Sequence, residues 1–210
     1  MIDALAFAQE IGAIGPAPLE QHLEHALGFA SAIVDLVPSR AAIVDLGSGG
    51  GIPGLVLAEV LPNVTVALLE GRTMRCELLA SFIVTLGFEE RVSVLAGRAE
   101  ELGHGSDWRG HFDVAVARGF AAPAVTAECA APFLRRGALL CVSEPPALNS
   151  FERWPATGCA ELGLEHLAVI EEPYAFVLLR QAGECPCLCP SRRSYGCDGV
   201  AAQVFYQMRK

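Results

Sequence analysis

Short continuous apolar runs alternate along the chain with stretches in which apolar residues recur every three or four positions. The runs Ala41–Leu46, Val64–Leu69, Val92–Leu95, Phe112–Ala117, Ala138–Ser143, His166–Ile170 and Ala175–Arg180 predict strands. Most lack polar alternation, as expected of strands buried on both faces. Ile52–Leu61, Thr73–Leu86 and Ala122–Leu134 have helical spacing. Pro53 falls near a first turn, where a missing N–H is tolerated, and Gly87 is placed to cap a helix C-terminus. Residues 1–38 also read as helical, with Leu19, Leu23, Leu27, Ala30 and Ile33 on one stripe. Strand–helix alternation implies an α/β fold with a mostly parallel sheet and right-handed crossovers. The last two strands meet around Glu172-Pro173-Tyr174, too tight for a parallel crossover, so an antiparallel hairpin should close the sheet edge.

No internal repeat or linker-like stretch interrupts this pattern, and 210 residues suit one domain. Within it, residues 1–38 form a helical segment, 39–183 the core, and 184–210 a tail containing Cys and Arg. An apolar share of 52% and a mean hydropathy of +0.40 exclude a disordered chain. The net charge of −9 excludes bulk attraction to nucleic acid, so any such contact needs a local basic patch. Lys210 is the one lysine beside fourteen arginines, which removes Schiff-base chemistry and lysine-dependent phosphate loops. No apolar run approaches the roughly 18 residues of a membrane span, and Met1-Ile2-Asp3-Ala4 lacks a basic signal-peptide start. These features predict a cytoplasmic protein without membrane contact, whose cysteines stay reduced.

The densest local signal is Asp45-Leu46-Gly47-Ser48-Gly49-Gly50-Gly51-Ile52-Pro53-Gly54, between a predicted strand and a predicted helix. Glycines allow a tight turn and close approach of a ligand, and the helix start offers N–H groups to an anion. Gly49, Gly51 and Gly54 satisfy the dinucleotide spacing G-x-G-x-x-G. Gly47, Gly49 and Gly51 satisfy the G-x-G-x-G of S-adenosylmethionine enzymes. Glu70, at the end of the second strand, suits ribose hydroxyls in either class. Asp45 favours the second cofactor: a carboxylate at the strand tip suits an ammonium and a sulfonium and opposes a pyrophosphate. The closing hairpin points the same way.

With these residues in view, the chain resembles the GidB/RsmG-type 16S ribosomal RNA (guanine-N7) methyltransferases. Val44–Gly54, and within it Gly-Gly-Gly-Ile-Pro-Gly, is similar to their first motif. Leu68-Leu69-Glu70 with Arg72 and Arg75, Gly97-Arg98-Ala99-Glu100-Glu101, and Phe112-Asp113 leading to Ala117-Arg118-Gly119-Phe120 resemble later motifs in order. Cys189-Pro190-Ser191-Arg192-Arg193 is similar to the family's Pro-Arg-Arg ending. The family's Asn-Leu-Thr segment has no counterpart in residues 11–20, and Ser143-Glu144 stands where it has Lys-Gly.

The resemblance implies a class I methyltransferase with a seven-stranded sheet, S-adenosylmethionine as cofactor and S-adenosylhomocysteine as product. It implies a guanine of small-subunit ribosomal RNA as substrate. Gly47, Ser48, Gly49 and Gly51 would then hold the methionine part, Asp45 its ammonium end, Glu70 the ribose, and Ala99 and Glu100 the adenine. Arg118, close to both ligands, and Arg98 would position the guanine or its phosphate. A small-molecule acceptor and a non-catalytic cofactor-binding protein remain open, with a nicotinamide dehydrogenase a more distant reading. A monomer is expected.

Other residues invite simpler readings. Arg72 and Arg75 share a helix face, which Arg192 and Arg193 could extend. Ser143-Glu144-Pro145-Pro146 reads as a strand stopped by prolines. Cys76, Cys129, Cys141 and Cys159 read as small core residues. Cys185, Cys187, Cys189 and Cys197 could bind a metal, pair or stay reduced; their C-x-C spacing and the nearby prolines argue against zinc. His22 and His25 read as a surface pair on the N-terminal helix.

Overall fold

A computed structural model describes residues 1–145 and 150–186. The strands are β1 (Ala42–Leu46), β2 (Thr65–Glu70), β3 (Val92–Ala96), β4 (Phe112–Ala117), β5 (Leu134–Ser143), β6 (Leu164–Ile170) and β7 (Phe176–Gln181). The helices are α1 (Ile2–Glu10), α2 (Leu19–Ile33), α3 (Gly54–Val60), α4 (Thr73–Leu86), α5 (Ala99–Leu102), α6 (Pro123–Ala130), α7 (Ser150–Arg153) and α8 (Ala156–Glu161). All seven strands join one sheet in the order β3-β2-β1-β4-β5-β7-β6. The first five run parallel, and β7 is antiparallel to both β5 and β6, so the expected closing hairpin is present.

Alternation of side chains builds two apolar layers. Ile43, Val114, Val116 and Cys141 join Phe29, Leu57 and Leu79 of α2, α3 and α4 on one face. Val44, Leu46, Ala115 and Ala117 join Ala127, Cys129 and Trp154 on the other. Both faces of the central strands are buried, which accounts for their lack of polar alternation. Strand β1 has β2 on one side and β4 on the other, so the chain reverses direction of travel there. Ligands of open parallel sheets lie outside the carboxyl ends of strands at such a switch point.

Several boundaries differ from those predicted. Residues 1–38 form two helices, because Gly12, Gly15, Pro16 and Pro18 interrupt the chain between α1 and α2. The helix expected over Ala122–Leu134 ends at Ala130; a 3₁₀ turn, Ala131–Phe133, containing Pro132, leads directly into β5. Helix α4 matches its predicted range, and Gly87 ends it at φ 69°, a left-handed cap that glycine adopts without strain. Helix α3 begins at Gly54 rather than Ile52, for a reason that lies in the site itself. Among the described residues, no helix is long and apolar enough to cross a membrane.

Candidate active site

The glycine loop leaves β1 with Gly47, Gly49 and Gly51 all at positive φ, between 56° and 97°. Such backbone disfavours any residue with a Cβ. Two buried carboxylates hold this loop. Asp45, 1% exposed, accepts from the Gly54 N–H at 2.9 Å. Its main-chain carbonyl accepts from the Ser48 hydroxyl at 2.9 Å. Glu70, 6% exposed, accepts from the Gly49 N–H at 3.1 Å and from the Arg72 N–H at 2.9 Å. The start of α3 is thus not open to an anion, as glycine spacing alone suggested: a side-chain carboxylate already takes the Gly54 N–H, and the Leu55 N–H is bonded to the Gly51 carbonyl. Residues 47–53 are spent on the turn, so the helix begins at the group Asp45 caps.

Gly54 serves packing. A Cβ there would lie 2.3 Å from the Leu68 side chain and 2.7 Å from Asp45 Oδ2. Gly54→Ala should therefore push α3 off β2 and break the Asp45 bond. The expected cost is about 1–3 kcal/mol, typical of overpacking. A urea-unfolding midpoint equal to that of the parent would contradict this.

Burial pushes the Asp45 carboxyl up to about 7; the Gly54 N–H, the Ser48 hydroxyl and Arg118 pull it back, and Glu70 pushes it further up. The Arg118 guanidinium follows β4 and is half-buried; burial lowers its pKa while Asp45 raises it. It donates to His22 Nδ1 of α2. The ends of β1, β2 and β4 thus bring Asp45, Glu70 and Arg118 within electrostatic reach of one another. Phe120 covers the glycine loop: a Cβ on Gly47 would lie 2.8 Å from that ring.

The third predicted element is joined through the backbone, where the Gly97 N–H donates to the Glu70 carbonyl at 3.0 Å. This sets the turn Arg98-Ala99-Glu100 beside the end of β2. Ala99 is buried, and Arg98 and Glu100 form a 3.0 Å ion pair largely in solvent. Arg98 lies against Gly71, whose added Cβ would stand 3.1 Å from Arg98 Cδ. It thus lies exposed over the Gly71 turn, whereas Arg118 is half-buried against His22. Arg72 and Arg75 differ from a common solvated face: Arg72 is the exposed N-cap of α4, while Arg75 turns toward Glu70 at 4.0 Å.

The histidines are not a surface pair. His22 is 6% exposed, between Arg118 and the Gly15 carbonyl. His25 is half-buried among Phe29, Tyr174 and Phe176, its ring centroid 5.0 Å from that of Tyr174. Burial, and after it the Arg118 guanidinium, lower the His25 pKa to about 4. An imidazole that folds neutral but charges when unfolded loses stability as pH falls from about 6.5 through 4. His25 should give no titration between pH 5 and 8 in an NMR series, and a midpoint near 6.5 would refute its burial.

The sequence also left Glu144 and Trp154 without a role. Strand β5 does end at Ser143 before Pro145, but Glu144 turns inward and accepts from Trp154 Nε1 at 3.0 Å and from Arg153 Nε at 2.5 Å. With Gly119, Phe120 and Ser143 they line a cleft of about 290 Å³ beside the site. Cys129, Cys141 and Cys159 are buried, and burial pushes their thiols up, Cys159 to about 11. Cys76 is an exception to the core reading: half-buried, it donates to the Glu70 carbonyl at 3.1 Å. Pro146, Cys187, Cys189, Pro190, Arg192, Arg193 and Cys197 lie outside the described residues.

Whether the residues fit S-adenosylmethionine can be tested on the loop. The base of the loop is a buried carboxylate in place of an open N–H cradle, so a pyrophosphate would meet Asp45, whereas an ammonium would complete it. Glu70 uses two of a carboxylate's roughly four lone-pair sites on the loop, leaving acceptor capacity for ribose hydroxyls. The residues fit.

Solved structures agree on the fold. A putative sarcosine dimethylglycine methyltransferase from Galdieria sulphuraria superposes with a TM-score of 0.60 at 14% identity, covering 76% of this chain and 86% of that one. TYW2 of P. horikoshii, in complex with MeSAdo, does so with a TM-score of 0.58 at 18% identity, covering 80% and 63%. The sheet is therefore that of the class I methyltransferases. Curated relatives are nearer in sequence. "Ribosomal RNA small subunit methyltransferase G" of Frankia casuarinae is 37% identical over 131 residues, 62% of this chain and 49% of that protein. The protein of the same name from Frankia alni is 40% identical over 131 residues, 62% and 46%. The chain thus spans about half the length of the curated relatives it matches. The family model described as rRNA small subunit methyltransferase G matches residues 6–143, more than half of the chain, and the chain belongs to that GidB family.

Proposed function

We propose that the protein is an S-adenosylmethionine-dependent methyltransferase acting on N7 of a guanine in small-subunit ribosomal RNA. The observation that carries this reading is the convergence of Asp45, Glu70 and Arg118 on the glycine loop, in a chain of this family. Residues 39–183 carry the site, residues 1–38 pack helices against it, and residues 184–210 follow as a tail. In this reading one copy of the chain acts in the cytoplasm.

When bound, S-adenosylmethionine supplies an electrophilic methyl group on a sulfonium. Asp45 then faces the ammonium end, with Gly47, Ser48, Gly49 and Gly51 lining the methionine part. Glu70 accepts from ribose hydroxyls, and the Ala99–Glu100 turn, tied to Glu70 through Gly97, lies along the adenine. Arg118 donates to the acceptor guanine, and the exposed Arg98 meets a phosphate. Guanine N7 carries a lone pair at neutral pH, so no proton must leave before attack. The site needs no general base, and alignment of the reacting atoms supplies catalysis, worth up to about 7–11 kcal/mol. The exposed Arg72, with Arg98 exchanging its Glu100 partner for a phosphate, supplies the local basic patch that a chain of charge −9 needs to meet RNA.

The test is mass mapping of methylated guanosines in ribosomal RNA from cells with and without the protein. Loss of one 7-methylguanosine from the small-subunit RNA, restored by adding the purified chain and cofactor to isolated subunits, is the expected result. An unchanged map, with methyl transfer only to small molecules, would replace the RNA by a metabolite.

A further inference from the structure

We propose that His22 is a positioning residue for Arg118, acting as the neutral tautomer that carries its proton on Nε2. The inference rests on the reading of Arg118 as the cation that meets the acceptor. His22 lies on α2, 96 residues from Arg118 in sequence and only 6% exposed. Its two ring nitrogens have different partners. Nε2 stands 3.0 Å from the carbonyl oxygen of Gly15, which can only accept, so Nε2 carries the hydrogen. Nδ1 is then a lone pair, and it faces Arg118 Nη2, which can only donate. One tautomer satisfies both contacts, and a second ring proton would set an N–H against the guanidinium.

This contact occupies one of the five N–H donors of the fork and removes rotamer freedom from a long side chain. An arginine fixed beforehand spends less of its interaction on ordering itself when the acceptor arrives. The anchor behind His22 is itself held. Gln9 Nε2 donates to the carbonyls of Gly15 and Ala17 at 2.6 and 2.7 Å. Ile14, in the same loop, covers the glycine loop so closely that a Cβ on Gly50 would lie 2.5 Å from it. The N-terminal helices thus act on the site by fixing Arg118 from behind, as well as by packing on the sheet.

Five variants, three at His22, Arg118→Ala and the His22→Ala/Arg118→Ala double, separate this role from plain core filling. His22→Asn places an amide oxygen where Nδ1 was and keeps an acceptor for Arg118. His22→Gln places an amide nitrogen where Nε2 was and keeps the Gly15 contact. Methyl transfer to small ribosomal subunits from cells lacking the protein is measured alongside calorimetry with S-adenosylhomocysteine. His22→Ala should lower kcat about tenfold and leave the cofactor Kd within about twofold. His22→Asn should recover most of the rate, and His22→Gln should not. His22→Ala should cost nothing further in an Arg118→Ala background. Rescue by His22→Gln instead, an additive loss, or unchanged kcat in His22→Ala would overturn the proposal. Should His22→Ala fail to fold, the Asn and Gln variants still decide the matter. Full activity of Arg118→Ala would bring down the reading of Arg118 itself, whereas loss there with an active His22→Ala removes only the role of His22.

Discussion

Arg118→Ala should lose methyl transfer by about one to two decades while binding S-adenosylhomocysteine almost as before. Removing a charged hydrogen-bond partner costs about 1.5–3 kcal/mol, and each 1.4 kcal/mol is a decade in rate. Arg118 follows β4, and its described side-chain hydrogen bond reaches His22 of α2 and not the glycine loop. Glu70→Ala should show the reverse order. Its carboxylate accepts from the Gly49 and Arg72 N–H groups, so truncation frees the loop that must hold the cofactor. Cofactor affinity should then fall at least tenfold, about the value of one charged hydrogen bond, before any effect on the bound complex. If the acceptor is RNA, transfer should also fall steeply as salt rises, through counterion release. Calorimetry and initial rates on the two variants separate the roles. An active Arg118→Ala enzyme, or tight cofactor binding by Glu70→Ala, would reverse the assignment, and a flat salt profile would point to a metabolite.

What could be read in the sequence was local. Helix α4 and its Gly87 cap follow from apolar spacing and one left-handed glycine, which a short window contains. The glycine loop, Asp45 and Glu70 are adjacent in space because they end neighbouring strands; the βα alternation predicts the parallel sheet, while the strand order is seen only in the structure. The break between α1 and α2 was also present, in two glycines and two prolines, but the stripe from Leu19 to Ile33 masked it. His22 and His25 were misread for a different reason. A polar residue three positions from another on a helix resembles a solvated face until the partner is known. Here the partners are Arg118, Tyr174 and Phe176, far along the chain. Glu144 and Trp154 carry the same lesson: a glutamate before a proline looks like a strand stop, and only the return of the chain past α7 supplies the indole that buries it. Gly54 fits the dinucleotide spacing, yet its missing side chain makes room for Leu68 and Asp45. Spacing records that a glycine is required and is silent on what needs the room.

Cofactor affinity should rise with pH from about 5.5 to 7 and level off above it, with Asp45 as the cause. Burial pushes this carboxyl up to about 7, so without cofactor it is protonated through most of that range. A folded-state pKa above the ordinary carboxylate value means that Asp45 supports folding below about pH 4 and loses that contribution as pH rises to 7. An ammonium beside it favours the ionised form and must therefore displace the proton, which costs less as pH approaches 7. Asp45→Asn keeps an acceptor for the Gly54 N–H, and so the loop, but removes the charge. At pH 8 the variant should bind S-adenosylhomocysteine about ten- to a hundredfold more weakly, the value of a charged hydrogen bond. Near pH 5.5 the two proteins should converge, because the parent must by then give up a firmly held proton. Titrations at pH 6 in buffers of different ionisation enthalpy should show proton release for the parent and none for Asp45→Asn. S-adenosylhomocysteine has the ammonium without the sulfonium, so the same dependence with both ligands assigns the effect to the amino group. A parent affinity that is flat across this range, or an Asp45→Asn variant that binds as tightly at pH 8, would remove Asp45 from the cofactor site and leave it the capping of α3 alone.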